Sequence, residues 1–229
     1  MKKVFVALDG MTAEEVKVFL TRYSDDIFCI KIGLELYLKE GRPFIKEIKD
    51  SFGKDIFLDL KLHDIPVTVA KSIASLSGLD LKFLTIHLPG GVQMLEAAAV
   101  AAKEHLPGCT LLGVSYLTSL GKNELHDIYN IDIDQMKTPM TKMALMAKQS
   151  GIGGMVLSAK ELNHISDIKL VKVCPGIRLS SEIEKGQCQD QKRVVDPNTA
   201  FKDGADFLVM GRSITQSKNP EAVFKELDL

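Results

Sequence analysis

Cysteine is scarce and unpatterned in this sequence. Cys29, Cys109, Cys174 and Cys188 are the only four, and no two of them form a C-x-x-C pair. That argues against a zinc ribbon. Cys29 and Cys174 sit inside apolar runs, where cysteine behaves as a small core residue, and this usage suits a reducing cytosol. Net charge is nearly absent as well: 29 Lys and Arg against 30 Asp and Glu leave −1. The basic footprint of a nucleic-acid binder is missing, so an anionic ligand must be held by local groups. No stretch approaches the roughly 20 apolar residues that a membrane span requires. The N-terminal apolar run, Val4 to Leu8, stops at Asp9. It is too short for a signal-peptide core and reads as a first buried strand. The five histidines show no metal-ligand spacing, and His87, at the end of a candidate strand, is expected to be structural. No Gly-x-Ser-x-Gly supports a serine hydrolase. With neither linker nor low-complexity segment in view, residues 1–229 are expected to form one domain of a size normal for an α/β barrel.

What the sequence does contain is an alternation of short apolar runs with helical patterns. Eight runs read as strands: Val4–Leu8, Phe28–Ile32, Ile56–Lys61, Phe83–His87, Thr110–Ser115, Gly154–Leu157, Val171–Cys174 and Phe207–Met210. Most are nearly continuous in Val, Ile, Leu and Phe, as parallel strands buried on both faces are. Between them, Thr12 and Glu15 have capping-box spacing and open a helix. Pro43 is placed to begin a second. Thr68–Leu76, Val92–His105, Met140–Gln149, Ala159–His164 and Asn219–Leu227 continue the series, with a short helix near Asn198–Lys202. Eight strand-then-helix units without a G-x-G-x-x-G after the first strand predict an α/β fold of the (β/α)8 type, a TIM barrel. The longest connection, about Tyr116 to Lys137, is polar and is expected to be a mobile lid.

Active sites of such barrels lie at the C-terminal ends of the strands, and charges collect there in this chain. Strand one ends at Asp9, strand two carries Lys31, and strand three ends in Asp59-Leu60-Lys61. Residues two apart project from one strand face, which predicts that Asp59 and Lys61 meet. A solvated strand end with a local ion pair would account for Asp59 by itself. It does not account for alternating Lys and Asp on three strands otherwise built for burial, because desolvating such an array is costly and marks a functional site. A second cluster follows strands seven and eight, in Pro175-Gly176-Ile177-Arg178 and Gly211-Arg212-Ser213-Ile214-Thr215. Glycines that admit backbone N–H groups, beside arginines, suit a phosphate at this place in a barrel.

These residues resemble one family. Asp59-Leu60-Lys61-Leu62-His63-Asp64-Ile65-Pro66-Val67-Thr68 is similar to the D-x-K-x-x-D-I-P-x-T signature of the bacterial-type orotidine 5′-phosphate decarboxylases. Val6-Ala7-Leu8-Asp9, Lys31-Ile32-Gly33, Leu117-Thr118-Ser119, Pro175-Gly176-Ile177-Arg178, Asp190-Gln191-Lys192-Arg193 and Val209 to Thr215 resemble further family segments in the family's order, over essentially the whole chain. The resemblance implies decarboxylation of orotidine 5′-monophosphate to UMP, the last step of de novo pyrimidine nucleotide synthesis, in a cytoplasmic homodimer that uses no metal and no organic cofactor. It implies Lys61 as the general acid, Asp59 beside the substrate carboxylate, and Lys31 bonding Asp59 and a ribose hydroxyl. Asp9 would bind ribose, Thr118 the pyrimidine edge, and Arg178, Gln191, Gly211 and Arg212 the phosphate. Asp64, Ile65 and Thr68 would enter the partner subunit's site. Two departures stand out. The stretch between Arg178 and Gln191 is a few residues longer than the common pattern, leaving Gln189 as an alternative to Gln191, and Asp196-Pro197 occupies a Thr-Pro position. Metal-dependent relatives, the keto-gulonate phosphate decarboxylases and hexulose phosphate synthases, direct a strand-two glutamate toward magnesium. Lys31 stands in that place.

Overall fold

The computed structural model describes residues 3–184 and 194–227. Eight strands form a closed, all-parallel barrel in sequence order, with the last strand paired to the first. They are β1 (Val4–Ala7), β2 (Cys29–Gly33), β3 (Asp55–Leu62), β4 (Phe83–His87), β5 (Thr110–Val114), β6 (Gly154–Val156), β7 (Val171–Cys174) and β8 (Phe207–Met210). Each expected strand is present, with ends shifted by one residue at most places. The continuous apolar character has the anticipated cause. One residue of each pair faces the barrel interior, and the other faces the surrounding helices, so neither meets water. Val4, Val6, Ile30, Ile32, Ile56, Leu58, Leu84 and Ile86 join the outer core, whereas Phe5, Cys29, Phe57, Phe83, Leu112, Val156, Val173 and Phe207 fill the interior.

Among the described residues the α-helices are α1 (Ala13–Arg22), α2 (Leu34–Phe52), α3 (Pro66–Ala74), α4 (Gly91–His105), α5 (Lys122–Tyr129), α6 (Lys137–Gln149), α7 (Ser180–Glu184), α8 (Pro197–Lys202), α9 (Arg212–Thr215) and α10 (Pro220–Glu226). The capping box forms at α1: Glu15 N–H donates to Thr12 Oγ1 at 3.2 Å, and Thr12 N–H donates to Glu15 Oε2 at 2.7 Å. Three expectations need correction. The helix expected from Pro43 begins earlier, at Leu34, because Gly41 with φ +71° breaks α2 and Pro43 opens only its second part. Ala159–His164 is a 3₁₀ turn, not an α-helix. The connection from Tyr116 to Lys137 is not an open loop: it carries α5 and a 3₁₀ turn at Ile133–Gln135. Leu125 of α5 is fully buried, and Tyr129 packs edge-on against Tyr116 at 4.9 Å between ring centroids. The Asp196-Pro197 departure has a simple reading. Asp196 caps α8, its carboxylate accepting from Thr199 N–H at 3.1 Å, as a threonine would. Among the described residues, no helix is long and apolar enough to cross a membrane.

Four phenylalanines from four strands close the barrel interior. Phe5 lies 5.6, 5.4 and 5.6 Å from Phe57, Phe83 and Phe207 by ring centroid, and Phe83 lies 5.3 Å from Phe207. Such offset and edge-on pairs add to the burial of the rings themselves. The layer fixes what comes next along each strand. Two residues past Phe5 and Phe57, on the same inward face, come Ala7 and Asp59, and two past Phe83 comes Thr85. Truncating Phe5 to alanine leaves a cavity that its neighbours cannot refill. Phe5→Ala is expected to lose about 3–5 kcal/mol of unfolding free energy in urea titrations.

Candidate active site

A cavity of about 510 Å³ opens above the phenylalanine layer, at the C-terminal ends of the strands. Its wall follows the inward-facing series of every strand except β4: Ala7 and Asp9, Lys31, Phe57, Asp59 and Lys61, Val114 and Tyr116, Val156, Pro175, then Val209 and Gly211. The apolar members lie along β5, β6 and β8, and the charged members along β1 to β3.

The ionic side is a chain of alternating charges. Lys31 Nζ donates to both carboxylate oxygens of Asp9, at 2.7 and 2.5 Å. It also lies 3.7 Å from Asp59 Oδ2, which accepts from Lys61 Nζ at 2.7 Å. Lys31 is buried, Asp59 nearly so, and Lys61 and Asp9 reach toward solvent. Burying a carboxylate costs several kcal/mol unless opposite charge and hydrogen bonds replace its water. At Asp59 burial pushes the carboxyl upward. The ammoniums of Lys61 and Lys31, with hydrogen bonds from Lys61 and Thr85, outweigh it and hold Asp59 below the usual carboxylate range. Asp59 is accordingly ionised at neutral pH.

Thr85 was not singled out from the sequence. It is fully buried, and its hydroxyl donates to Asp59 Oδ1 at 2.8 Å while accepting from Lys61 N–H at 2.9 Å. Lys61 itself has φ +51°, a left-handed conformation that costs a non-glycine residue about 1–2 kcal/mol. The pairing of β3 with β4 is irregular here: Leu58 pairs with Leu84 and Leu62 with Ile86. The prediction that Asp59 and Lys61 meet is correct. They meet across a bulge, however, and not along a regular strand.

Gly33 is a second residue whose part was hidden. It pairs with Asp59 in register. A β-carbon placed there would come 2.2 Å from Asp9 Oδ1 and 3.1 Å from Lys31 Nζ. Only the missing side chain leaves room for that ion pair.

The second cluster lies on the same cavity. Arg178 is buried, with Nη1 donating to Ile177 O at 3.2 Å, and Gly176 takes φ +77° in the turn that delivers it. Gly211, Arg212 and Thr118 also line the cavity, as does Gln216, which the sequence had not flagged. Asp64, Ile65 and Thr68 do not line it. They lie exposed beyond β3 and at the start of α3. Gln191 and its alternative Gln189 fall outside the described residues. His87 is not part of the cavity wall; its ring sits 5.2 Å from that of His63. Burial, then the neighbouring His63 and Lys61, push it below its ordinary value, against the pull of Asp59. Burial pushes the thiol of Cys29 up to about 11 and that of Cys174 up to about 12, so both stay protonated. Among the described residues, no group of three or more His, Cys, Asp or Glu is placed to hold a metal ion.

Residues 2–227 match the model of the orotidine 5′-phosphate decarboxylase / HUMPS family. The chain belongs to this family. It is 38% identical over 227 residues to the orotidine 5′-phosphate decarboxylase of Fusobacterium nucleatum subsp. nucleatum, covering 98% of this chain and 93% of that protein. It is 40% identical over 230 residues to the orotidine 5′-phosphate decarboxylase of a Geobacillus species, covering 97% and 93% respectively. The crystal structure of orotidine 5′-phosphate decarboxylase from Lactobacillus acidophilus superposes with a TM-score of 0.83 at 31% identity, over 100% of this chain and 98% of that one.

Two outcomes follow from the ionic wall of this family member. The Asp59 carboxyl should titrate below the usual carboxylate range when followed by carbon-detected NMR. A folded value below the unfolded one gives stability that is complete above about pH 4 and lost as pH falls through the lowered value, so Asp59→Asn should remove that part of the acid dependence. Gly33→Ala should displace the Asp9 carboxylate from Lys31, which a crystal structure of the variant would show directly.

Proposed function

We propose that the chain decarboxylates orotidine 5′-monophosphate to UMP and carbon dioxide, the final step of de novo pyrimidine nucleotide synthesis, without metal or organic cofactor. The observation that carries this reading is the convergence, on one cavity, of the Asp9–Lys31–Asp59–Lys61 chain with Arg178 and Arg212. Family membership and the named relatives support the same reaction.

In this reading the bond from C6 to the carboxylate breaks and carbon dioxide leaves. The electron pair stays on C6, in the ring plane, where the π-system cannot spread it. A cation already fixed beside C6 lowers that barrier, because it needs no reorganisation as charge develops. Lys61 is that cation and then the general acid, giving its proton to C6 and later recovering one from water. Asp59 aims Lys61, accepting from its ammonium at 2.7 Å, and lies beside the departing carboxylate. Lys31 holds Asp59 and a ribose hydroxyl, and Asp9 binds ribose as well. Thr118 meets the pyrimidine edge. Arg178, Arg212, Gly211 and Gln191 hold the phosphate. Binding energy from that remote group serves to position the ring.

The catalytic unit is one barrel domain per subunit in a cytoplasmic homodimer, with Asp64, Ile65 and Thr68 completing the partner's site. The surface supports this arrangement. Ile65 is 67% exposed and Val67 is 61% exposed at the start of α3, and Val92 and Val100 are exposed on the neighbouring α4. Apolar side chains gathered on packed helices mark a surface that a partner covers. A metal-assisted route fits less well, because each carboxylate in the cavity wall already has an ammonium partner.

The test is ultraviolet absorbance after mixing the protein with orotidine 5′-monophosphate, with and without a chelator. Conversion to UMP that ignores the chelator is expected, and loss on chelation with recovery on added magnesium would overturn the cofactor-free route. Lys61→Ala should reduce turnover by more than about 10³-fold; near-normal turnover would remove Lys61 from its role. Sedimentation should give a dimer, and a fully active monomer would refute the shared site.

A further inference from the structure

The geometry points to Thr85 as a positioning residue that sets both the backbone of Lys61 and the orientation of the Asp59 carboxylate through one hydroxyl. This rests on the proposed function for its kinetic consequence, and on the fold alone for its structural one. Leu58 and Leu62 of β3 pair with Leu84 and Ile86 of β4, so Asp59, Leu60 and Lys61 face a single residue, Thr85. A bulge of this kind leaves ladder groups without strand partners and turns side chains away from their regular direction. Here the hydroxyl takes the place of the missing backbone partner, accepting from Lys61 N–H at 2.9 Å, and φ +51° at Lys61 is held in that bond.

A threonine hydroxyl has one proton to donate and two lone pairs. The proton goes to Asp59 Oδ1 at 2.8 Å. That use divides the carboxylate. Oδ1 is taken by Thr85, which leaves Oδ2 facing both ammoniums, Lys61 at 2.7 Å and Lys31 at 3.7 Å. Thr85 is fully buried, and Phe83, two residues before it on the same strand, belongs to the aromatic layer. Valine keeps the shape of the side chain and removes both bonds; serine keeps both bonds and removes the methyl.

The experiment compares Thr85→Val and Thr85→Ser with the wild type, using orotidine 5′-monophosphate turnover and NMR-resolved hydrogen exchange of the Lys61 amide. Misplacing a catalytic group through a remote contact typically costs rate more than affinity. Thr85→Val should therefore lower kcat by about 10–100-fold with KM changed by less than about threefold, and serine should restore it. The Lys61 amide should exchange faster in Thr85→Val, while Leu84 and Ile86 keep their protection. An unchanged kcat, equal losses in the serine and valine variants, or unchanged exchange at Lys61 would each overturn the assignment. If the wild type does not turn over this substrate, the proposed function falls and the exchange result alone decides the role of Thr85. Should the valine variant not fold, Thr85→Ala against Thr85→Ser gives the same comparison.

Discussion

The upper half of this barrel depends on keeping Asp59 ionised where water cannot reach most of it. Its carboxylate has two ammoniums and a hydroxyl as its surroundings, and each of them constrains a different strand. Lys31 fixes β2 relative to β3, Thr85 fixes β4, and the Lys31–Asp9 pair extends the restraint to β1. Even a feature as small as the absent side chain of Gly33 belongs to this requirement, because the ion pair occupies the volume that a β-carbon would need. A buried ion pair seldom adds net stability over a packed apolar one. Under the proposed function, its presence serves chemistry at the mouth of the barrel.

The division of labour across the cavity follows from strand alternation. Along β1, β2, β3 and β8 the inward positions begin with Phe5, Cys29, Phe57 and Phe207 and lead, further along the same face, to Asp9, Lys31, Asp59 and Gly211. The same periodicity that fills the lower barrel thus delivers the functional groups above it. The side proposed to hold phosphate comes from turns after β7 and β8, where Gly176 and Gly211 replace bulk with backbone and Arg178 and Arg212 follow two and one residues later. In the proposed function, charge for the reacting end and charge for a remote anion arise from adjoining sectors of one closed sheet, since β8 pairs with β1.

Much of this was legible in the sequence, for identifiable reasons. Strands buried on both faces leave continuous apolar runs, so all eight could be read, and charges that interrupt such runs at their ends are conspicuous, which exposed Asp9, Lys31, Asp59 and Lys61. Thr85 was hidden because threonine is an ordinary strand former, and nothing in Phe-Leu-Thr-Ile-His distinguishes a structural hydroxyl from a propensity choice. The irregular pairing of β3 was hidden too, since the sequence pattern of a bulge matches that of a strand until its partner is known. The α5 segment was read only as part of a polar connection because its polar residues dominate, and the burial of Leu125 depends on contacts distant in sequence. Gly33 looked like the end of a strand; its steric part emerges only when the side chains of Asp9 and Lys31 are placed.

The aromatic layer beneath the cavity has a consequence for proton traffic. Phe5, Phe57, Phe83 and Phe207 pack across the barrel below the cavity, so solvent reaches Lys61 from the mouth. In the proposed reaction each turnover spends one proton from that ammonium. The proton is then replaced by the route that product leaves and substrate enters. Recharging of the acid is thereby tied to the open stage of the cycle, and a ligand seated over the mouth isolates Lys61 with whatever proton it already carries.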